Sequence, residues 1–175
     1  MKEKLTIEAF YPDPPERVWR ALTDAAALQR WLMPTTFKAE IGFRFRFKGT
    51  SKQGAMDVEG VVIELDAPNR LAYTWDDGED DTPGVVAWTL KPKDGGTQLT
   101  LEHSPAQEPK PYVLIEASTN WRNALHTSLP ILLRLLQVEE RRPLVPIVYV
   151  TEGAPADNEP KRRAGFRQEE ATCIS

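Results

Sequence analysis

FKAEIGFRFRF (residues 37–47) decides how the rest of the chain is read. Every odd position in it is apolar: Phe37, Ala39, Ile41, Phe43, Phe45 and Phe47. The even positions are Lys38, Glu40, Gly42, Arg44 and Arg46. Alternation this strict predicts a β-strand with one buried face and one face in water. Phe43, Phe45 and Phe47 load the buried face with aromatic area, so a broad element must cover it. Lys38, Arg44, Arg46 and Lys48 read as a solvated sheet face whose charge discourages edge-to-edge association.

Downstream, four runs alternate in the same way between turn residues. They are 57–66 (Val61, Ile63 and Leu65 inward), 70–76 (Leu71, Tyr73, Trp75), 84–91 (Val86, Trp88, Leu90) and 97–103 (Leu99, Leu101, His103). Pro68-Asn69, the acidic run from Asp76 to Asp81 and Asp94-Gly95-Gly96 join them as hairpin-like turns, which makes the sheet antiparallel and meandering. Upstream, residues 4–11 form a strand with Leu5, Ile7 and Ala9 on one side. The prolines at 12, 14 and 15 end it, with Asp13 as N-cap and Pro14 as the first helical residue. The helix that follows carries Val18, Ala21 and Leu22 on one face. A second short helix, 24–32, is capped by Asp24 and presents Leu28, Trp31 and Leu32.

After a polar link (104–111) the period lengthens from two to 3.6. Leu114, Ser118, Trp121, Leu125, Leu129, Leu132 and Leu136 form one stripe of a long helix. Pro130 lies inside it, lacks a backbone donor and crowds the preceding turn, so a kink or break is expected near Ser128. Beyond 141 the pattern dissolves. Residues 144–150 are apolar and call for a cover, whereas 153–175 read as a mobile tail. The expected organisation is one α+β domain over 1–140 and an extension over 141–175. A curved antiparallel sheet wraps around a long C-terminal helix, and two short helices follow the first strand. The space between such a sheet and helix is a preferred small-molecule site. Inward aromatics such as Phe43, Phe45, Tyr73 and Trp88 are more often plain core, and periodicity alone does not separate a filled core from a hollow one.

Composition narrows the function classes. With 175 residues, 41% hydrophobic and 27% charged, the chain suits one soluble domain. A net charge of −4 without a clustered basic face speaks against nucleic acid, and Lys161 to Arg163 is too short a run to argue for it. Cys173 is the one cysteine, so no internal disulfide is expected. The N-terminus enters a strand at once and no apolar run approaches a membrane span, from which a cytoplasmic protein without a membrane partner is expected. Asp76, Asp77, Glu79, Asp80 and Asp81 lack the spacing of a calcium loop. Zinc clusters, phosphate-binding glycine loops and nucleophile elbows are missing from the sequence, so no metal, cofactor or catalytic residue is expected. His103 is the inward titratable group, but Glu102 points to the opposite face and leaves it without an orienting carboxylate. His126 falls at the border of the helical stripe.

Five ordered blocks carry a family resemblance: PDPPERVWRALTDAAALQRWL (12–32), GFRFRFKG (42–49), GVVIELDAPNRLAYTW (60–75), VVAWTLKPKDGGTQLTLEHS (85–104) and NWRNAL (120–125). From about residue 4 to 137 the chain resembles the AHSA-like family. That family is named after an activator of the heat-shock chaperone ATPase and belongs to the START-like helix-grip (SRPBCC) superfamily. The resemblance implies a helix-grip fold with a pocket between sheet and long helix. It also implies a hydrophobic or amphipathic small-molecule ligand, bound by a monomer or homodimer. Trp31, Phe43, Phe45, Tyr73, Trp88, Leu101, His103, Trp121 and Leu125 are the expected lining. The superfamily equally permits a polyketide cyclase or dehydratase-like enzyme. The family name suggests stress response and a co-chaperone-type interaction module, though the chain holds no second domain to engage a chaperone clamp. The chain departs from the family pattern at Asn120-Trp121, where Gly-Trp is usual, at Pro130, and from 141 onward.

Overall fold

The alternating runs become a sheet of six strands in a computed structural model that describes residues 4–51, 54–78, 81–107 and 111–141. They are β1 (Leu5–Tyr11), β2 (Arg44–Ser51), β3 (Gly54–Asp66), β4 (Arg70–Trp75), β5 (Gly84–Lys93) and β6 (Gly96–Ser104). All neighbours pair antiparallel, in the order β1-β6-β5-β4-β3-β2. Two short helices, α1 (Pro15–Thr23) and α2 (Ala25–Trp31), follow β1. The C-terminal helix comprises α3 (Pro111–Asn123), a π-helical turn (Ala124–Ser128) and α4 (Leu129–Arg141). The fold is α+β, as the change of period implies.

The deciding stretch is only half strand. Gly42, at φ 81°, turns the chain at 41–42, and β2 begins at Arg44. Ala39 and Ile41 therefore leave the core side, Ile41 being 59% exposed. Phe37 is buried by another route, because residues 34–37 run along the outer edge of β2. The Thr36 N–H reaches the Arg46 carbonyl at 3.2 Å, and the Lys48 N–H reaches the Pro34 carbonyl at 3.0 Å. This segment occupies backbone groups that an edge strand would otherwise present for pairing.

β3 corrects a second expectation. Val58, Gly60 and Val62 face the core, whereas Ile63 is 49% exposed and Val61 half-buried. The residue at the centre of the inward row is a glycine, so the true parity left little apolar signal. A Cβ at Gly60 would meet the Phe45 ring and the Thr74 carbonyl oxygen, at 2.5 Å. A β-bulge between Val62 and Glu64 then shifts the register and brings Leu65 opposite Leu71, back against the core. The cap of α1 is also displaced by one residue: Pro14 is the N-cap and Pro15 the first helical residue. Asp13 is buried instead, bonded to the Arg17 guanidinium at 2.7 Å, while its carbonyl accepts from the Thr97 hydroxyl at 2.7 Å. Asp24 caps α2 as expected, accepting from the Ala26 N–H at 2.9 Å.

Pro130 acts one turn earlier than its own position. The Leu129 N–H reaches back five residues to the Ala124 carbonyl, so the Leu125 carbonyl loses its usual partner four residues on. A five-residue reach would end on Pro130, which has no N–H. The hydroxyl of Tyr11, on β1, donates to the Leu125 carbonyl at 2.7 Å and satisfies it. Burial without a charged partner pushes the Tyr11 phenol well above its ordinary pKa, so this donor keeps its proton.

Past the π turn, α4 is sealed against the domain. Leu129, Leu132, Leu133 and Leu136 are buried. Arg17 and Arg20 of α1 reach Glu140 at 2.7 and 3.7 Å, and Arg30 of α2 reaches Glu139 at 3.2 Å. Hydrogen bonding to Arg17 holds the Glu140 carboxyl below its usual range. The expectations for residues 144–150, the tail, Lys161 to Arg163 and Cys173 lie outside the described residues.

Tyr11→Phe is predicted to cost about 1–2 kcal/mol in urea denaturation, the value of a buried carbonyl losing its donor. In a Pro130→Ala background the restored N–H offers a substitute, so the same change should cost less there. Equal costs in both backgrounds would show that Tyr11 does not answer the proline.

Candidate functional site

Strand register builds the site. Tyr73 lies opposite Val86, and Val86 opposite His103; one pair further along, Leu71 lies opposite Trp88, and Trp88 opposite Leu101. These two rows cross β4, β5 and β6 on the face turned toward the helices. The Trp88 indole N–H donates to the Tyr73 hydroxyl at 3.0 Å. On one side the Phe45 ring meets Tyr73 at 5.1 Å and Phe37 at 5.0 Å. Trp31, from α2, stands edge-on to Trp88 at 6.3 Å, its N–H held by the Ala21 carbonyl at 2.8 Å.

From α3, Trp121 meets Trp88 at 5.5 Å and Trp75 at 5.4 Å, and its indole N–H donates to His103 Nδ1 at 3.2 Å. Because Nδ1 accepts, the neutral imidazole carries its proton on Nε2. Leu101 and Leu125 are fully buried in the same core. Seven of the nine expected lining residues lie in one buried apolar core, His103 is bonded to Trp121 at its side, and Phe43 packs against that core from outside. Phe43 precedes β2, is half-buried, and carries the Lys38 ammonium 5.4 Å above its ring.

Sequence reasoning put Trp75 on the inward side but did not count it among the lining residues. Alternation places it inward, but its contacts with Trp121 and with His103, at 5.7 Å, follow from register and from the position of α3. Phe37 and Phe47 were likewise legible as inward and not as neighbours of Tyr73.

The electrostatics favour neutral groups on this face. Burial lowers the His103 pKa from its ordinary value, with the Asp77 carboxylate acting in the opposite sense. Burial raises that of Tyr73, with the bond from Trp88 opposing. Charge gathers on the far face of the sheet. There Arg70 bonds Glu64 at 3.0 Å and Thr89 at 2.7 Å, and Glu102 pairs with Lys4. Glu102 is thereby turned away from His103, as its strand parity implies. Among the described residues no group of three His, Cys, Asp or Glu side chains is placed to hold a metal ion. No described helix is long and apolar enough to cross a membrane.

The two halves of the C-terminal helix differ in depth. Where α4 buries four leucines, α3 has Val113, Leu114, Ala117 and Ser118 half-buried, and Ile115 is 69% exposed. Trp121 is the described α3 side chain that is deeply seated. The chemistry available at the α3 end is therefore an aromatic wall with two polar neutral side chains, Tyr73 and His103.

Comparison with known proteins places this geometry. A family model described as Activator of Hsp90 ATPase homolog 1-like protein matches residues 13–134. Among solved structures, protein MLL2253 from Mesorhizobium loti is similar at 28% identity and a TM-score of 0.67, covering 76% of this chain and 98% of that one. CalU16 from Micromonospora echinospora is similar at 24% identity and a TM-score of 0.63, over 78% of this chain and 81% of that one. DynU16, described as a protein of the dynemicin biosynthetic locus, is similar at 19% identity and a TM-score of 0.66, over 79% of this chain and 49% of that one. The last two identities speak to the fold alone. Comparison with curated proteins finds no match.

The burial of His103 makes stability pH-dependent. The folded-state pKa of this histidine lies below its unfolded value, so the unfolded chain takes up the proton first as pH falls. Its contribution should be fully present above about pH 6.5 and decline below it, before the carboxylates titrate. Thermal unfolding between pH 7.5 and 5.5 should show this slope, and His103→Asn should flatten it. An unchanged slope in that variant would remove His103 as its source.

Proposed function

The family match spans most of the chain, so the chain belongs to the Activator of Hsp90 ATPase homolog 1-like protein family, and we propose that it binds a hydrophobic or amphipathic small molecule between its sheet and the α3 half of its C-terminal helix. The observation that carries this reading is the contrast in depth between α3 and α4. One half of the helix is sealed by buried leucines and ion pairs. The other half lies half-buried over the most aromatic part of the sheet and is pinned there by Trp121. Displacing α3 uncovers apolar area, and a ligand that re-buries it gains about 25 cal/mol per Å² before the cost of ordering.

A cyclase-like reading draws on the locus named for DynU16 and on the presence of two neutral polar groups on the wall. Polarising a carbonyl is within reach of such donors, but abstraction of a proton needs a base. The imidazole nitrogen that would serve already accepts from Trp121. Ligand binding without turnover is therefore the preferred reading, and a co-chaperone role draws only on the family name.

Native mass spectrometry of the freshly purified chain is expected to show a retained small molecule and, in the same spectrum, the subunit count. Hydrophobic compounds should raise the melting temperature, and Trp121→Ala, which removes the pin between α3 and the sheet, should change that response. A panel of apolar compounds that leaves both the spectrum and the melting temperature unmoved would sink the proposal.

A further inference from the structure

The solvent side of α4 is both aliphatic and basic. Ile131, Leu135 and Val138 follow one another at spacings of four and three, which sets them on one stripe. They are 58, 46 and 56% exposed, while Leu129, Leu132, Leu133 and Leu136 fill the side turned to the domain. Arg134 and Arg141 are exposed on the outer side, two turns apart, and among the described residues neither has an ion-pair partner. The two glutamates of α4 are drawn the other way, Glu140 to Arg17 and Arg20, and Glu139 to Arg30. Further up the same helix, Arg122 and Ile115 are also exposed. The net charge of the chain is −4, so this stripe departs from the rest of the surface in sign as well as in polarity.

We propose that the outer face of α4 rests on an anionic lipid surface, with Ile131, Leu135 and Val138 entering the headgroup boundary and Arg134 and Arg141 meeting lipid phosphates. The proposal is independent of the small-molecule reading. Contact with a lipid surface differs from crossing one, for which no described helix is long and apolar enough. Charge and spacing select this occupant over three others. A second copy packed face to face would set arginine against arginine, because the glutamates of α4 are already held by α1 and α2. A partner helix needs the four-three spacing to continue. The two positions that would extend it, Ala124 and Ser128, are small, half-buried and inside the π turn. Nucleic acid would leave the aliphatic side chains unused. A lipid surface requires no register: the aliphatic side chains partition into it, and arginines interleaved with them keep their heads at the phosphates while their stems add apolar area. Each arginine near such a surface adds its own attraction.

The test is sedimentation of the full chain with vesicles of phosphatidylcholine, either alone or with about 30% phosphatidylserine, where the surface potential is strongly negative. The chain is expected to partition about tenfold more strongly onto the anionic vesicles, and to lose that preference in about 0.5 M salt. Arg134→Glu combined with Arg141→Glu should weaken anionic partition by about tenfold or more and leave the weak neutral partition unchanged. Ile131→Ser combined with Val138→Ser should weaken partition onto both kinds of vesicle while keeping the salt dependence. All four positions are exposed, so both variants are expected to melt within about 2 °C of the wild type, and either one that does so decides the matter. Sedimentation with neither kind of vesicle overturns the proposal, as does equal partition onto both. Partition that survives unchanged in the variants places the contact elsewhere in the chain and overturns it too. A dimer in solution that Ile131→Ser with Val138→Ser converts to a monomer overturns it in favour of a second copy on this face.

Discussion

One hydrogen bond holds the two ends of the architecture in agreement. The C-terminal helix must pass over a sheet whose inner face is aromatic, and it must do so with a proline in its middle. In an uninterrupted α-helix Pro130 would leave the His126 carbonyl without its donor. The π turn moves the defect to Leu125, and the Tyr11 hydroxyl meets it from the first strand. The partner of that strand, β6, carries His103, which meets Trp121 three residues before the π turn begins. Strand one, strand six and the helix are thus tied through two polar contacts, with apolar packing filling the rest.

The same turn separates two mechanical environments. On its far side, α4 is anchored by buried leucines and by arginines from both short helices. Exposed pairs of this kind contribute little energy each, so the leucines supply the stability and the arginines fix the register. On its near side, α3 relies on one indole. Local opening draws on segments with few buried contacts, and α3 is such a segment while α4 is not.

Much of this was legible in the sequence. Strand count, antiparallel order, the two short helices and a disruption before Pro130 all follow from period and punctuation. The four expected lining residues on β4, β5 and β6, Tyr73, Trp88, Leu101 and His103, do share one face, because parity in those strands is uninterrupted. The failures have particular causes. Gly42 bends a stretch whose alternation is perfect on paper, since alternation records the polarity of side chains and not whether the backbone stays extended. In β3 the inward position 60 is a glycine because the Phe45 ring needs the space, so the core residue there is invisible to any count of apolar side chains. The bulge after Val62 then exchanges the faces once more. The contacts of Tyr11 and Trp75 were not legible for a different reason: they depend on partners distant in sequence, which only register and the position of the C-terminal helix reveal.

Four of the five tryptophans touch in series: Trp31 with Trp88, Trp88 with Trp121, and Trp121 with Trp75. Indoles this close share their electronic excitation. Light absorbed anywhere along the series is emitted from a common pool, and the coupled transitions lend the near-ultraviolet dichroism a strength that no isolated indole has. The series also crosses the boundary between the part of the fold that is sealed and the part that is pinned. Trp31 belongs to the first and Trp121 to the second. The protein therefore carries a built-in optical gauge of whether its C-terminal helix is seated, readable without any label.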